Sequence, residues 1–558
     1  MHAGNDHFPD QSSFKVMLRR LLGPELGYYR LILLYSAAIS LLSLALPVSV
    51  QILIDTLANI GQPAVVISIA VLTFALLVAS GLLYALRAWA MEYFNRHIYS
   101  RLTSEIALTG LMANIGYFEE ESRAALFNRY FDIMTLKKNV PYLLSYGFTL
   151  LFQAVIGFIV VSLYHFYFFI FSLLLVLLLV LTWSIFGWKA VSTGFRVSES
   201  KHEAASWLQG LAINNGWFKP RRRLQFALEH TNALVHAHLD AQQHHFRYSF
   251  TQLLIYLTLY ALASATLLGI GGYLVIQGQL TLGQLVAAEL ILSSIFYGLP
   301  QLAGYLEYYY DVCAATEELH RFSQVPTEPG SPEQAVVFPP ACSLILSQLH
   351  FESEQERGKF DFSLPAQSVV RITDHDGKGQ DSLISLLKRS TPVQSGTMCW
   401  GSEDLLDAPA TDVRALVSVL DRPTLLPLTI KQYLQLAAGE ISGHRIQEVL
   451  SLLQLQELVQ SLPAGINTLL SHSGRPLLLD EALRLKLAFT LLSDSRILVM
   501  TEIFDCVAAT VLESFVHEYR KERQGIVLYF THRKDLNVFS HRLRLLSHEQ
   551  VVLPEEVA

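Results

Sequence analysis

From Asn139 to Trp188 the chain runs fifty positions without an aspartate, glutamate, lysine or arginine. A membrane crossing needs about 20 apolar residues, so this run alone is long enough for two. Three further charge-free stretches, 31–54, 56–86 and 248–288, also lie in the first half of the chain, and the last is followed by SSIFYGLPQLAGYL (293–306). Together they divide into six expected spans near 31–54, 64–86, 142–163, 167–188, 250–276 and 284–307. The breaks NIGQP (59–63) and QGQLTLG (277–283) carry turn chemistry. The same bias dominates the composition, with 52% hydrophobic and 16% charged residues. Soluble domains carry about 25% charge, which excludes a wholly soluble enzyme and a disordered chain alike. A net charge of −7 excludes a general nucleic-acid binder.

Basic residues set the expected orientation. Lys15, Arg19 and Arg20 precede the first span, and two clusters fill the long connections. The first runs from Arg87 through Arg96, Arg101, Arg123 and Arg129 to Lys137 and Lys138, and the second from Lys189 to Arg247. The other connections hold no lysine or arginine. The positive-inside rule then places both termini and both long loops, about 87–141 and 189–248, in the cytoplasm of a multi-pass inner (plasma) membrane protein. The polar, acidic start MHAGNDHFPDQSSF reads as no cleavable signal peptide, leaving the first span as the insertion signal. Cys313, Cys342, Cys399 and Cys506 are too scattered for a disulfide framework and suit a reducing compartment. The cluster YHFYFF (164–169) reads as an interfacial aromatic belt.

Segments 94–113 and 197–214 show helical spacing, so helices are expected to run on from the membrane into both loops. After Phe322 the texture changes. A Pro/Gly/Ser-rich stretch, SQVPTEPGSPEQ (323–334), precedes short apolar runs alternating with helical ones: SLILSQLHF (343–351), SVVRIT (368–373), LISLLKR (383–389), RILVMT (496–501), IVLYFTH (526–532). Such alternation is that of an α/β domain. The expected organisation is an N-terminal cytoplasmic segment (1–27), a six-span domain (28–322), a linker (323–340) and an α/β domain (341–558).

Six spans, two deep loops and a C-terminal α/β domain resemble a half-transporter of the ABC exporter type. YYRLILLYSAAISLLSLALPVSVQILID (28–55) and TLGQLVAAELILSS (281–294) resemble subunits of type I secretion and bacteriocin-type exporters. The resemblance implies a multi-domain membrane protein, with an all-α six-helix domain followed by an ABC-type, P-loop NTPase-like α/β domain. It also implies a nucleotide site, whose motifs can be read one at a time.

A phosphate loop of the form G-x-x-x-x-G-K-[ST] surrounds phosphates with backbone N–H groups and a lysine, and its hydroxyl holds magnesium. Here SVVRIT leads into DHDGKGQDSLISLL (374–387). Gly377 and Gly379 match, but Asp374 stands for the first glycine, Gln380 for the lysine and Asp381, followed by Ser382, for the magnesium residue. Sliding the register to use Lys378 fails, because Gly379 follows it. The signature that would contact a partner's γ-phosphate reads Leu477, Leu478, Leu479, Asp480, Glu481, in which an acid is expected to cap the following helix. RILVMTE keeps Glu502 for an attacking water but puts Thr501 at the magnesium aspartate. The switch histidine survives as His532, Asp421 takes the glutamine-loop position, and Phe351 or Ser353 falls nearest the adenine-stacking aromatic. The aspartate loop is not recognisable in FDCVAA (504–509), and Lys378 and Lys388 are the cations available near the phosphate position.

By resemblance, each ATP is sandwiched between one subunit's phosphate loop and the other's signature. Beside an intact relative, one site would then lack the loop and the other the signature. ATP and magnesium are expected to bind weakly if at all, leaving Glu502 and His532 as vestigial catalytic residues. The expected function is an export-complex subunit, dimeric with itself or with an ATP-competent ABC subunit, and open to membrane-fusion or outer-membrane secretion partners. Two alternatives are a self-sufficient ATP-driven homodimeric exporter with unconventional ligands, and a non-transporting membrane sensor or assembly factor.

Three further features stand out. Glu289, an acid inside the sixth span, is a candidate contact on the transport pathway. His230, His236, His238, His244 and His245 read as solvated loop helix, with 238 and 245 the one pair at helical spacing. The loop tips, near Tyr117–Leu126 and Gly210–Lys219, are expected by resemblance to dock on α/β domains, with Trp217 and Phe218 as anchors.

Overall fold

The computed structural model describes residues 11–59, 63–118, 123, 125–328, 336–352, 357–374, 378–545 and 550–554. The chain divides between Glu328 and Pro329 into two compact units.

The first unit is built from helices α1 (Gln11–Leu22), α2 (Leu26–Leu42), α3 (Ala45–Asn59), α4 (Pro63–Met112), α5 (Asp132–Tyr142), α6 (Phe148–Ser162), α7 (Phe166–Ile213), α8 (Arg221–Ile276) and α9 (Leu282–His320). Among the described residues six helical stretches are long and apolar enough to cross a membrane. Helix α4 changes surroundings along its length. Ile67, Val71, Leu72, Phe74 and Leu82 are exposed, as suits a helix surrounded by lipid. Further on, Phe94, Ile98, Leu102 and Ile106, spaced four apart, are buried in one cluster with Ile133, Leu136 and Val140 of α5. The same helix thus spans and then continues as part of a packed bundle.

The first span, expected as one crossing, is two helices. Pro47 explains the break at Ser43–Leu44: it has no N–H for the Ser43 carbonyl, and its ring crowds that oxygen. The Ser43 hydroxyl closes the end by donating to the Ser40 carbonyl at 2.7 Å. In the third span the helical path begins at Asp132, before the expected 142, and carries a wide π-turn at Leu143–Gly147 just after Pro141. That turn presents a carbonyl to Arg87, which is buried in α4. Arg87 Nη1 donates to Ser145 O (3.0 Å), Ser36 Oγ (3.1 Å) and Thr149 Oγ1 (2.6 Å). Nearer the far end, Gly157 lets α6 close on α9, since a Cβ there would lie 2.7 Å from Ile295 Cδ1. The turn before α9 is fixed by a capping box, in which Thr281 and Gln284 each bond the other's backbone N–H.

The second unit begins with β1 (Leu344–Glu352), β2 (Arg357–Leu364), β3 (Val369–Asp374), α10 (Lys378–Leu387), β4 (Val393–Trp400) and β5 (Glu403–Asp404). It continues with α11 (Ala410–Leu416), β6 (Val417–Leu420), α12 (Ile430–Gln435), α13 (Gly443–Leu452), α14 (Gln456–Ser461) and α15 (Leu479–Leu492). It ends with β7 (Ile497–Met500), α16 (Ala509–Arg523), β8 (Ile526–Phe530), β9 (His541–Leu545) and β10 (Gln550–Pro554). One sheet is antiparallel, ordered β2-β1-β4-β5. The other, ordered β10-β9-β3-β8-β7-β6, is parallel except for its β10 edge. Strands β7 (ILVM) and β8 (IVLYF) are buried at every position, as continuous apolar runs in a covered parallel sheet should be.

Candidate functional site

Register brings the motif residues to one edge. Ile372 pairs with Phe530, Met500 with Tyr529, and Leu420 with Met500, so β3, β8, β7 and β6 end side by side. Asp374, His532, Thr501–Glu502 and Asp421 therefore follow adjacent strand ends. In an open α/β sheet, ligands bind outside the carboxyl ends of the strands.

The phosphate-loop position is occupied from within. Asp374 Oδ2 accepts the Gln380 backbone N–H at 2.9 Å, so a carboxylate sits on the first turn of α10. Those amides are the donors a phosphate would use. Gly379 leaves room for the contact, since a Cβ there would lie 3.2 Å from the same oxygen. Asp381 is exposed in the first turn of α10 and Ser382 is partly buried beside it. Gly377 lies outside the described residues, as does Ser353; Phe351 is buried and stacked on Phe360, with ring centres 5.5 Å apart.

Of the two cations expected near the phosphates, Lys388 is engaged elsewhere, and the side chain of Lys378 lies outside the described residues. Lys388 Nζ pairs with Asp421 Oδ2 at 3.2 Å. Lys486 of α15, which sequence reasoning missed, donates its Nζ to the Arg422 carbonyl. Burial pushes the Lys486 ammonium below its ordinary range, with Asp421 opposing the shift and Lys388 and Arg422 reinforcing it. It stands between Leu485 and Leu487, both buried, and no motif marks it.

At the magnesium position, Thr501 turns its hydroxyl inward to the Leu420 carbonyl at 3.2 Å and is buried. The next two residues of catalytic type do meet: His532 Nε2 lies 3.2 Å from Glu502 Oε1, both side chains exposed. The unrecognised aspartate-loop segment turns out to be tied to the end of β8. Asp505 Oδ1 accepts from Tyr529 Oη (2.6 Å) and Thr531 Oγ1 (2.7 Å). Arg533 Nη1 donates to the carbonyls of Asp505 (3.1 Å) and Val507 (2.6 Å). Burial, with Asp505 adding to it, pushes the Tyr529 phenol up, so it stays a donor. The Arg533 side chain, bonded to Asp535, lowers that carboxyl to about 2.

At the signature position, Glu481 accepts the Leu478 N–H at 2.7 Å and Asp480 pairs with Arg484 at 2.7 Å. Leu478 and Leu479 are exposed. The start of α15 is thus capped by its own acid.

In the first unit, Glu289 Oε1 accepts from Ser293 at 2.7 Å, while its Oε2 is buried with no hydrogen-bond partner. His238 and His245 bond Ser200 (2.9 Å) and Thr193 (3.0 Å) respectively, and no cluster able to hold a metal occurs among the described residues. Trp217 is exposed at its loop tip, with the Arg223 guanidinium 4.4 Å from its ring centre. Phe218 packs on Trp207.

Known proteins match this arrangement. Residues 29–207 match the ABC transporter transmembrane region. The chain is 20% identical over 322 residues to the probable multidrug resistance ABC transporter ATP-binding/permease protein YheI of Bacillus subtilis, covering 56% of this chain and 54% of that one. It is 23% identical over 296 residues to the lactococcin-A transport/processing ATP-binding protein LcnC of Lactococcus lactis, covering 52% and 41%. The chain thus spans about half the length of these curated relatives. A bacterial Atm1-family ABC exporter solved with ATP bound superposes with a TM-score of 0.79 at 19% identity, covering 97% of this chain and 96% of that one. Residues 29–207 are therefore similar to an ABC transporter transmembrane region, and the whole chain has the fold of an ABC exporter.

Proposed function

We propose that this chain is a subunit of an ABC-type export complex whose own α/β domain does not hydrolyse ATP. It contributes half of a membrane pathway or a regulatory scaffold beside an ATP-competent partner. One observation carries the reading: the Asp374 carboxylate already holds the Gln380 N–H at 2.9 Å, with a neutral glutamine where a lysine would stand. A phosphate oxygen on that amide must displace a charged hydrogen bond of about 2 kcal/mol. If the carboxylate then stays about 4 Å away, repulsion costs about 4 kcal/mol at an effective dielectric of 20. The two together, about 6 kcal/mol, turn a micromolar site into one weaker than 10 mM.

The Thr501 hydroxyl bonded to Leu420, and the acid-capped start of α15, support the same reading. Neither a magnesium aspartate nor a γ-phosphate donor stands in its place. Orientation follows the basic residues, with both termini in the cytoplasm and the chain in the plasma membrane. The Glu502–His532 pair is what favours the alternative of a self-sufficient homodimer with unconventional ligands. Hydrolysis by the purified chain separates the two. No turnover above that of Glu502→Gln is expected, whereas micromolar Mg-ATP affinity with turnover abolished by that substitution would favour the homodimer.

A further inference from the structure

Arg87 is a buried cation without an anion. It directly follows the charge-free stretch 56–86 and is 3% exposed, yet no carboxylate pairs with it among the described residues. Its three hydrogen bonds, to Ser145 O, Ser36 Oγ and Thr149 Oγ1, all leave from Nη1 and all end on neutral oxygens. The Nε–Nη2 edge is the fork that takes two oxygens of a carboxylate or phosphate. Here that edge has no acceptor among the described residues, and neither nitrogen is sealed from the outside. A charge buried at membrane depth with no counter-ion is costly and marks a functional position.

A second observation comes from the side chains in front of it. The guanidinium lies over the Tyr84 ring, 5.1 Å from its centre, and the Tyr84 hydroxyl meets the Tyr146 hydroxyl at 3.1 Å. Both tyrosines are exposed. Two hydroxyls that bond each other use one hydrogen between them, so the second O–H is left to donate outward. On both counts the missing group is an acceptor. The π-turn Leu143–Gly147 builds the arrangement by carrying Ser145 and Tyr146 together, and such turns collect at functional positions.

Depth decides the occupant. Just beyond Arg87 on α4, Trp89 is 72% exposed and Tyr93 56%, aromatic rings of the kind that sit at headgroup level. Just before it, Leu82 and Leu86 are exposed, as lipid-facing residues are. With the orientation proposed above, this is the cytoplasmic leaflet, where basic pockets between spans hold lipid headgroups. We propose that Arg87, Tyr84 and Tyr146 bind the phosphate of a phospholipid in that leaflet. The guanidinium edge and the free tyrosine O–H donate to its oxygens. The proposal needs no nucleotide, so it stands or falls apart from the reading of the α/β domain.

The test is native mass spectrometry of the purified full-length chain in mild detergent, titrated with dioleoyl phosphatidylglycerol. Dioleoylglycerol supplies the same chains without phosphate, and inorganic phosphate supplies the anion without chains. The first phosphatidylglycerol is expected to bind at least tenfold more tightly than the first dioleoylglycerol, with excess inorganic phosphate leaving it in place. Arg87→Gln should bring the two lipids within twofold of each other, and Tyr84→Phe with Tyr146→Phe should weaken phosphatidylglycerol three- to tenfold. Equal binding of the two lipids by the unaltered chain overturns the proposal, as does an unchanged preference in Arg87→Gln. Displacement by inorganic phosphate assigns the site to a free anion and overturns the lipid. The tyrosine pair leaves the bonds of Nη1 untouched and decides if Arg87→Gln does not fold, full binding there overturning the proposal.

Discussion

At the scale of single residues, the proposed lack of ATP binding rests mainly on where the carboxylates of the α/β domain sit. Asp374 takes the amide a phosphate would need, and Asp421 takes Lys388. Replacing Asp374 with glycine and Gln380 with lysine removes the internal occupant and restores the cation. That double variant should bind Mg-ATP at least a hundredfold more tightly than the parent chain by equilibrium dialysis; no gain would mean that other residues close the site. Lys486 gives a pH test. Burial lowers its native pKa below the ordinary 10.5 it regains on unfolding. Between those two values the unfolded chain holds more protons, so stability rises with pH across that window. Lys486→Met should flatten the alkaline rise in the unfolding midpoint, and an identical slope in both proteins would contradict the assignment. The substitutions at Asp374, Gln380 and Thr501 were legible because a motif fixes what should stand there. That Asp374 bonds the Gln380 amide was not, since a side chain's partner depends on how β3 delivers it to α10.

At the scale of elements, charge-free runs announced the membrane helices plainly, and the apolar spacing of 94–113 announced that α4 continues beyond its span. The division of the first span into α2 and α3 was present in the sequence as Pro47, but one proline in an apolar run does not say whether a helix bends or stops. Arg87 was legible only as a basic residue beyond the second span. Its burial depends on the π-turn at Leu143–Gly147, whose geometry no local pattern states. Because one guanidinium nitrogen serves three acceptors there, Arg87→Ala should cost about 2–4 kcal/mol. A lowered thermal midpoint in detergent is the expected result, and an unchanged one would show that water replaces the guanidinium freely. The segment after Glu502 went unread because its partners, Tyr529, Thr531 and Arg533, lie more than twenty residues on, at the end of the neighbouring strand.

At the scale of the whole molecule, an exporter fold is combined with an α/β domain whose strand ends carry the outline of a nucleotide site. On the proposed function, energy for any movement of the membrane unit comes from a partner subunit. Co-purification under mild detergent should recover this chain with a second ABC subunit bearing intact phosphate-loop and signature motifs, while recovery only as a homodimer would contradict that arrangement. The most direct measurement is equilibrium binding of radiolabelled Mg-ATP to the purified full chain. Occupancy that stays linear and unsaturated to about 1 mM is the result expected from a site closed by about 6 kcal/mol. A saturable micromolar isotherm, lost when Gln380 is replaced by glutamate, would contradict it.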